Sequence, residues 1–173
     1  MGTGEGASAT GQPLDRLADR LTDRGATLAV AESCTGGLLA AELTARPGAS
    51  AYFLGGVVAY ANELKVRALG VEAELIQRAG GVSRETAEAM AQGARMAFDA
   101  TFAVSITGIA GPGGGTPEKP VGLVYTSVAG ARGVRTRRAV HRGDREEIRR
   151  AGVEGAVDLL LEVVEERPGP ASG

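Results

Sequence analysis

Apolar residues along this chain alternate between helical spacing and short continuous runs. The first helical stretch carries them at positions i, i+3, i+4 and i+7, namely Leu14, Leu17, Ala18 and Leu21. This spacing predicts a helix that opens at Pro13 and ends at Gly25. An apolar run at 27–31 predicts a buried strand, and the pattern at 38–45 predicts a second helix. Residues 32–37 therefore form a turn that joins a strand to a helix.

The middle of the chain predicts a second strand and three helices. The strand covers 52–60, and Gly55 and Gly56 within it indicate a bulge or a close backbone contact. The first helix is predicted to run from an N-cap at Asn62 to Leu69, and the second covers 73–78. The third has Ser83 as its N-cap and carries Met90, Ala94 and Phe98 on its apolar face.

The last third of the chain predicts three strands and one helix. Strand 102–106 precedes a glycine-rich stretch, and strands 121–129 and 134–140 have the spacing of a hairpin. Asp144 and Glu147 have the spacing of a capping box at the start of the final helix. This order of elements predicts one α/β domain with a mixed sheet and helices packed on it.

Both ends of the chain are rich in small residues. They predict a disordered extension over 1–12 and a flexible tail over 168–173, with the domain at 13–167. The first residues contain no apolar signal-peptide core, and no window reaches the apolar length of a membrane span. We therefore expect a cytoplasmic protein that makes no membrane contact.

Scarce residue types narrow the possible chemistry. Of the 173 residues, 43% are hydrophobic and 23% charged, as in soluble globular proteins. His141 and Cys34 are the only residues of their types, so a zinc site of the usual kind and an intramolecular disulfide are both excluded. The net charge of −2 argues against bulk nucleic-acid binding. Of the 19 basic residues, Lys65 and Lys119 are lysines and the other 17 are arginines.

The turn at 32–37 is the first candidate site. Glycines in a strand-to-helix turn let a ligand approach unpaired backbone N–H groups, and a hydroxyl or thiol there can act as a nucleophile. An ordinary helix N-cap with a glycine turn is the alternative interpretation. Cys34 is the stronger nucleophile by nature, but a single cysteine among small residues is more often a buried filler. We therefore prefer Ser33.

A nucleophilic serine needs a base. The chain lacks the G-x-S-x-G elbow, and His141 lies in a run of alternating apolar residues that favours a structural role. Lys65, in the first turn of a predicted helix, is the remaining candidate, because desolvation can lower a lysine pKa enough for base catalysis. A surface lysine is the alternative. Tyr60 and Asn62 beside it could orient the nucleophile or a substrate amide, or merely end the strand and cap the helix.

Two further stretches could contribute to a site. The glycine-rich stretch 107–116 lacks the phosphate-binding and dinucleotide-binding fingerprints, so we interpret it as a loop that lines a site beyond a strand end, with a plain surface loop as the alternative. Arg145 and Arg149 lie four residues apart at a predicted helix start, which favours a phosphate site. Ion pairing with Glu146 or Glu147 is the alternative.

Five motifs occur together and in order: AESCTGG (31–37), YANELK (60–65), GGVS (80–83), SITGIAGPGGGTPEKPVG (105–122) and GDR (143–145). In this combination the chain resembles, over about 12–166, the C-terminal domain of the competence/damage-inducible CinA proteins, whose stand-alone members are nicotinamide-nucleotide amidases. The resemblance implies a single three-layer α/β domain. It also implies hydrolysis of nicotinamide mononucleotide to nicotinate mononucleotide and ammonia, a step of NAD recycling, without a metal or cofactor.

The resemblance also implies roles for individual residues. Ser33 would be the nucleophile and Lys65 its base, with the proton passing directly or through Tyr60. Backbone N–H groups of one of two stretches would hold the oxyanion. The first stretch offers Thr35, Gly36 and Gly37. The second offers Thr107, Gly108, Gly111 and Gly113. Arg145, or the helix start beside it, would hold the 5′-phosphate, and Asn62 would contact the substrate.

The chain departs from the family pattern in three respects. Longer members carry an N-terminal domain that resembles molybdopterin-binding proteins, and no segment here corresponds to it. Ala61 stands where serine or threonine is usual, and His141 stands where an aromatic residue is typical. The alternative function is a non-catalytic nucleotide-binding module that keeps the pocket. The oligomeric state stays open, with a homo-oligomer as one expectation.

Overall fold

The computed structural model describes residues 11–166. In chain order, their helices and strands are α1 (Gly11–Asp23), β1 (Leu28–Glu32), α2 (Leu38–Thr44), a short 3-10 helix (Ala49–Ala51), β2 (Phe53–Val58), α3 (Asn62–Leu69), α4 (Ala73–Ala79), α5 (Arg84–Ala97), β3 (Phe102–Gly108), β4 (Leu123–Gly130), β5 (Gly133–Val140) and α6 (Arg145–Glu165). Every predicted helix and strand is present. None of the described helices is both long enough and apolar enough to cross a lipid bilayer.

The five strands form one mixed sheet, which confirms the predicted fold class. Its order is β2-β1-β3-β4-β5. Strand β1 pairs in parallel with both β2 and β3, whereas β4 is antiparallel to β3 and β5 is antiparallel to β4. The carboxyl ends of β2, β1 and β3 therefore meet at one edge of the sheet, where ligands of open α/β sheets bind.

Helices cover both faces of the sheet and make the three layers. Helices α1, α2 and α6 share one hydrophobic core with the sheet, in which Leu17, Leu39 and Leu160 are fully buried. Helices α3, α4 and α5 cover the other face, where small residues such as Ala29 and Ala103 pack against Met90. Burial on both faces explains why β1 is a continuous apolar run up to Glu32.

Gly55 and Gly56 confirm both features predicted for β2. Leu54 is skipped in the pairing of β2 with β1, so the strand contains a bulge beside Gly55. A Cβ atom at Gly56 would lie 2.2 Å from Cγ2 of Val30, which is closer than any side chain allows. Glycine therefore lets β2 approach β1 at this point.

Two capping predictions are confirmed and one is wrong. Ser83 Oγ accepts from the Thr86 N–H at the start of α5, and Asp144 forms the capping box with Glu147 at the start of α6. The N-cap of α3 is Ala61 rather than Asn62, and it makes no side-chain cap. Asn62 is instead the first helical residue, and its side chain lies against Gly81.

The predicted N-terminal boundary also shifts. Helix α1 begins at Gly11, two residues before Pro13, so the last two residues of the predicted extension 1–12 are helical. A proline is tolerated in the first turn because its missing N–H would have no intrahelical partner there. The rest of that extension and the predicted tail 168–173 lie outside the described residues.

Candidate active site

A cavity of about 330 Å³ opens at the sheet edge where β2, β1 and β3 end. Eight of the twelve predicted site residues line it, namely Ser33, Tyr60, Asn62, Lys65, Gly108, Gly111, Gly113 and Arg145. The remaining lining residues are Cys34, Gly81, Val82, Ile109, Ala110 and Gly114. Segments that are far apart in the sequence thus converge on one pocket.

Ser33 and Lys65 are in direct contact in this cavity. Lys65 Nζ lies 3.2 Å from Ser33 Oγ and donates to the Tyr60 carbonyl oxygen, also at 3.2 Å. The Ser33 N–H donates to the Ile106 carbonyl oxygen, which ties the turn after β1 to β3. Only 2% of Lys65 is exposed, although it lies in the first turn of a helix near the surface. The interpretation of Lys65 as a surface lysine is therefore wrong.

Burial sets the protonation preference of Lys65. Removal of the ammonium from water disfavours the charged form, so burial lowers the pKa of Lys65 below its usual value. The negative charge of Glu63, two residues away, acts in the opposite direction and offsets part of that shift. A lysine with a lowered pKa is neutral more often at physiological pH, and only the neutral amine can accept a proton.

Cys34 lies beside Ser33 but is a poor nucleophile in this environment. Burial raises the pKa of the Cys34 thiol to about 11. At neutral pH the sulfur is therefore protonated, and the thiol is far less reactive than the thiolate. Its sulfur would lie 3.1 Å from a Cβ at Gly108, so the thiol fills the space between the turn and β3.

Glu32 stabilises the turn that carries Ser33, a role that sequence reasoning did not assign. Its carboxylate accepts from the N–H groups of Gly37, Leu39 and Ala40 at the start of α2, and the residue is only 1% exposed. A helix start offers unpaired N–H groups and partial positive charge, so a carboxylate is the matching partner there. An acidic residue at the end of a predicted strand, just before the glycines that lead into a predicted helix, was the available signal.

The first predicted oxyanion stretch lies behind the cavity wall. Thr35, Gly36 and Gly37 do not line the cavity. The Gly36 N–H donates to the Ser33 carbonyl oxygen and the Gly37 N–H donates to Glu32, so neither is available to a ligand. The Thr35 carbonyl oxygen accepts from Arg149. Of the two alternatives for oxyanion donors, the geometry disfavours Gly36 and Gly37.

The glycine-rich stretch forms another part of the cavity wall. Among the described residues, no acceptor pairs with the N–H groups of Ala110, Gly111, Gly113 and Gly114. Thr107 itself is fully buried and does not line the cavity; its hydroxyl donates to the Gly81 carbonyl oxygen at 2.7 Å. This stretch therefore supplies free N–H donors, whereas Thr107 holds the adjoining wall.

Arg145 connects two walls of the site. Its Nη1 donates to the Gly111 carbonyl oxygen at 2.7 Å and its Nη2 donates to the Tyr60 hydroxyl at 3.0 Å. The helix start beside it is already capped, since Asp144 Oδ1 accepts from the N–H groups of Glu146 and Glu147. Two N–H groups of the helix start are therefore already paired, and the Arg145 side chain is the cationic group at this cavity.

The second arginine of the predicted pair lies outside this cavity, although Arg145 and Arg149 together line another cavity of about 390 Å³ beside the start of α6. Arg149 donates to the Thr35 carbonyl oxygen at 2.7 Å and does not line the cavity that contains Ser33. Ion pairing within α6, the alternative interpretation, does occur, but it involves a different arginine: Arg150 pairs with Glu146 at 2.7 Å.

His141 lies outside the site, as its structural interpretation requires. It is half-buried beside a separate cavity of about 290 Å³ between β5 and α6, lined also by Arg137 and Glu154. Burial lowers the pKa of His141, which favours the neutral ring. Within residues 11–166, no three His, Cys, Asp or Glu side chains lie close enough together to hold a metal ion.

The sequence model of the CinA C-terminal domain matches residues 12–164. A CinA-like protein of Anaeromyxobacter dehalogenans is 52% identical over 159 residues, which are 90% of this chain and 39% of that protein. A CinA-like protein of Mycolicibacterium vanbaalenii is 55% identical over 147 residues, 84% of this chain and 34% of its own. The chain thus spans well under half the length of these curated relatives.

Solved structures agree with the sequence comparison. The competence/damage inducible protein CihA from Agrobacterium tumefaciens is 40% identical, with a TM-score of 0.87 over 96% of this chain and all of that one. A CinA superfamily protein from Escherichia coli is 29% identical, with a TM-score of 0.86 over 94% of each chain. The match to the family model, the sequence relatives and the shared three-layer fold agree, and this chain belongs to the CinA C-terminal domain family.

Proposed function

We propose that this chain is an amidohydrolase that converts nicotinamide mononucleotide to nicotinate mononucleotide and ammonia, with Ser33 as nucleophile and Lys65 as base. The observation that carries the proposal is the 3.2 Å contact between Lys65 Nζ and Ser33 Oγ in a cavity at the sheet edge. A serine hydroxyl needs a base within hydrogen-bond reach, and Ser–Lys pairs meet that need in acyl transfer. The substrate follows from the family resemblance.

The first half of the reaction forms an ester on Ser33. As Oγ bonds to the amide carbon, its proton passes to neutral Lys65 Nζ. The C–N bond then breaks, and Lys65 returns the proton to the departing nitrogen, which leaves as ammonia. The hydroxyl of Tyr60 binds Arg145, and it is the Tyr60 backbone carbonyl that contacts Lys65. This arrangement supports the direct proton route over the one through the Tyr60 phenol.

The second half hydrolyses the ester with the same base. A water molecule attacks the acyl carbon and gives a proton to Lys65, the bond to Oγ breaks, and that proton returns to Ser33. Both tetrahedral intermediates carry a negative oxygen, which needs donors placed in advance. The unpaired N–H groups of Ala110, Gly111 and Gly113, residues that line the same cavity, are the candidates.

The two charged parts of the substrate have different roles in the proposed reaction. The pyridinium ring withdraws electrons from its carboxamide and eases attack by Ser33. The 5′-phosphate needs a cation, and Arg145 is the only arginine that lines the cavity within the described part of the chain. Asn62, on the Lys65 side, offers an amide for hydrogen bonds to the substrate.

Ammonia release from nicotinamide mononucleotide tests the proposal. We expect the purified protein to release ammonia, and Ser33→Ala to lower kcat by about a thousandfold or more. Lys65→Met should lower it by roughly 10² to 10⁴ because general base catalysis is lost. Cys34→Ala is the matched control, since Ser33 and Cys34 are adjacent and each is 7% exposed. It should retain activity.

Two results would contradict the proposal. If Cys34→Ala abolishes activity and Ser33→Ala does not, the nucleophile is misassigned. If the wild-type protein gains thermal stability with nicotinamide mononucleotide but releases no ammonia, the chain is a nucleotide-binding module. Intact mass spectrometry after rapid quenching adds a direct test, because an acyl intermediate adds the mass of the nicotinate mononucleotide acyl group to wild type and not to Ser33→Ala.

A further inference from the structure

Gly81 and Val82 form one wall of the cavity. The segment that leads into this wall, 79–81, accepts a side-chain hydrogen bond at each of its three backbone carbonyls. Ala79 O accepts from Lys119 Nζ at 2.7 Å, Gly80 O accepts from Thr86 Oγ1 at 2.7 Å, and Gly81 O accepts from Thr107 Oγ1 at 2.7 Å. The three donors come from three different parts of the fold. Three adjacent carbonyls held by side chains in this way fix the position of this wall.

Two of these donors flank the cavity-lining part of the glycine-rich stretch: Thr107 begins the stretch, and Lys119 lies just beyond its end at Thr116. Thr107 precedes the residues that line the cavity and Lys119 follows them. The Lys119 end is itself a closed turn, in which the Thr116 N–H donates to Lys119 O and the Lys119 N–H donates to Thr116 Oγ1. Between these ends, Arg145 binds the Gly111 carbonyl oxygen. The stretch that carries the free N–H donors is thus attached at its start, in its middle and just beyond its end.

The surroundings of the Lys119 ammonium group favour its bond to the Ala79 carbonyl oxygen. Ala79 is the last residue of α4, so its carbonyl belongs to the negative end of that helix, where a cation is favoured. A Cβ atom at Gly80 would lie 3.0 Å from Lys119 Nζ, so the glycine leaves room for the ammonium group. Lys119 is also one of only two lysines in a chain that otherwise uses arginine.

We propose that Lys119 is a positioning residue for catalysis: its bond to Ala79 holds the glycine-rich stretch so that the N–H groups of Ala110, Gly111 and Gly113 face Ser33. This role rests on the proposed function, because it concerns donors for the oxyanion of the same reaction. Lys119 itself does not line the cavity. Its effect on the reaction therefore passes through the backbone, and it acts on the transition state rather than on substrate binding.

The test compares Lys119→Met with Arg95→Met. Arg95 is a matched control because it is also half-buried and donates to a backbone carbonyl, that of Thr101, at 3.1 Å, and neither residue lines the site cavity. We expect Lys119→Met to lower kcat by about 10- to 100-fold with KM nearly unchanged, since small displacements of catalytic groups cost that much. Lys119→Arg should recover most of that loss, and Arg95→Met should keep the wild-type kcat.

Hydrogen–deuterium exchange gives a readout that does not depend on the reaction. The hydrogen-bonded amides at the two ends of the stretch, those of Ile109, Thr116 and Gly122, should exchange at least tenfold faster in Lys119→Met than in wild type, and at the wild-type rate in Arg95→Met. Unchanged exchange in Lys119→Met overturns the positioning role, as does an equal fall in kcat in both variants. If the wild-type protein releases no ammonia, the proposed function fails on its own, and the exchange rates still decide whether Lys119 holds the stretch.

Discussion

At the scale of single residues, burial rather than residue type decides which groups can react. Ser33, Cys34 and Lys65 all line the same cavity. The same loss of water lowers the pKa of Lys65 and raises the pKa of Cys34 to about 11. Both shifts favour the neutral form, so the environment produces a usable base and an unreactive thiol side by side.

The pH dependence of activity follows from the lowered pKa of Lys65. The base must be neutral, so kcat/KM should rise with pH and level off above the pKa of Lys65, with a midpoint below that of an ordinary lysine. The Glu63 carboxylate favours the charged amine, so Glu63→Gln should move this rising limb to lower pH. A pH series of initial rates at low substrate concentration measures both midpoints.

Glu74→Gln is the control for that series. Glu74 is exposed and lies in the first turn of α4, as Glu63 lies in the first turn of α3, but Glu74 is on a different helix from Lys65. Its midpoint should match the wild type. If the midpoint moves to higher pH in Glu63→Gln, or moves equally in both variants, a group other than Lys65 controls the rise of kcat/KM with pH.

At the scale of helices and strands, small residues decide how closely the elements approach. Helix α5 packs against the carboxyl end of α3 at Gly93, where an added Cβ would lie 1.8 Å from the Leu69 carbonyl oxygen. Because α3 also carries Lys65, this contact helps to set the depth of the base in the site. In contrast, a Cβ at Gly155 in α6 would meet nothing within 4 Å.

Alanine at these two glycines should therefore have opposite effects. Gly93→Ala forces α5 and α3 apart and should lower the free energy of unfolding by about 3 kcal/mol, at the upper end of overpacking effects. Gly155→Ala should raise it by roughly 0.5–1 kcal/mol, because alanine loses less backbone entropy in a helix. Urea denaturation followed by circular dichroism measures both. A stabilising Gly93→Ala would contradict the close contact.

At the scale of the whole molecule, the first and last helices close one face of the domain. Helix α1 contributes Leu14, Leu17 and Leu21 to the core that α6 shares, and Leu17 is fully buried. At the rim of the same pair, Arg16 Nε donates to Glu165 at 2.6 Å, with the arginine side chain 60% exposed. Leu17 thus makes a buried apolar contact between α1 and α6, whereas its neighbour Arg16 makes an exposed ion pair between the same helices.

Substitution of these neighbours should separate core packing from surface charge. Leu17→Ala should lower the free energy of unfolding by about 2–5 kcal/mol through lost burial and a cavity. Arg16→Ala should leave it nearly unchanged, because exposed ion pairs contribute little to stability. Thermal and urea unfolding of both variants check this. Similar losses in the two would show that the ion pair, not the apolar contact, holds α1 in place.

Much of the site could be predicted because its signals are local. Ser33 and Lys65 each follow the end of a predicted strand, and each belongs to a motif with unusual residue types. Gly81 and Val82 were not predicted as cavity residues, because a backbone wall carries no side chain that suggests chemistry. The free donors of 110–113 and the occupied ones of Gly36 and Gly37 look alike in sequence, and only their hydrogen-bond partners distinguish them.

The sequence by itself determined the helices and strands and the mixed α/β class, and it led to Ser33 and Lys65 as the proposed catalytic pair. These follow from periodicity, capping residues and residue scarcity, which act over a few positions. Only the tertiary structure decided the strand order, the 3.2 Å contact of Lys65 with Ser33 and the attachment of the glycine-rich stretch through Lys119. Those features depend on burial and on contacts between distant segments, which exist only after the chain has folded.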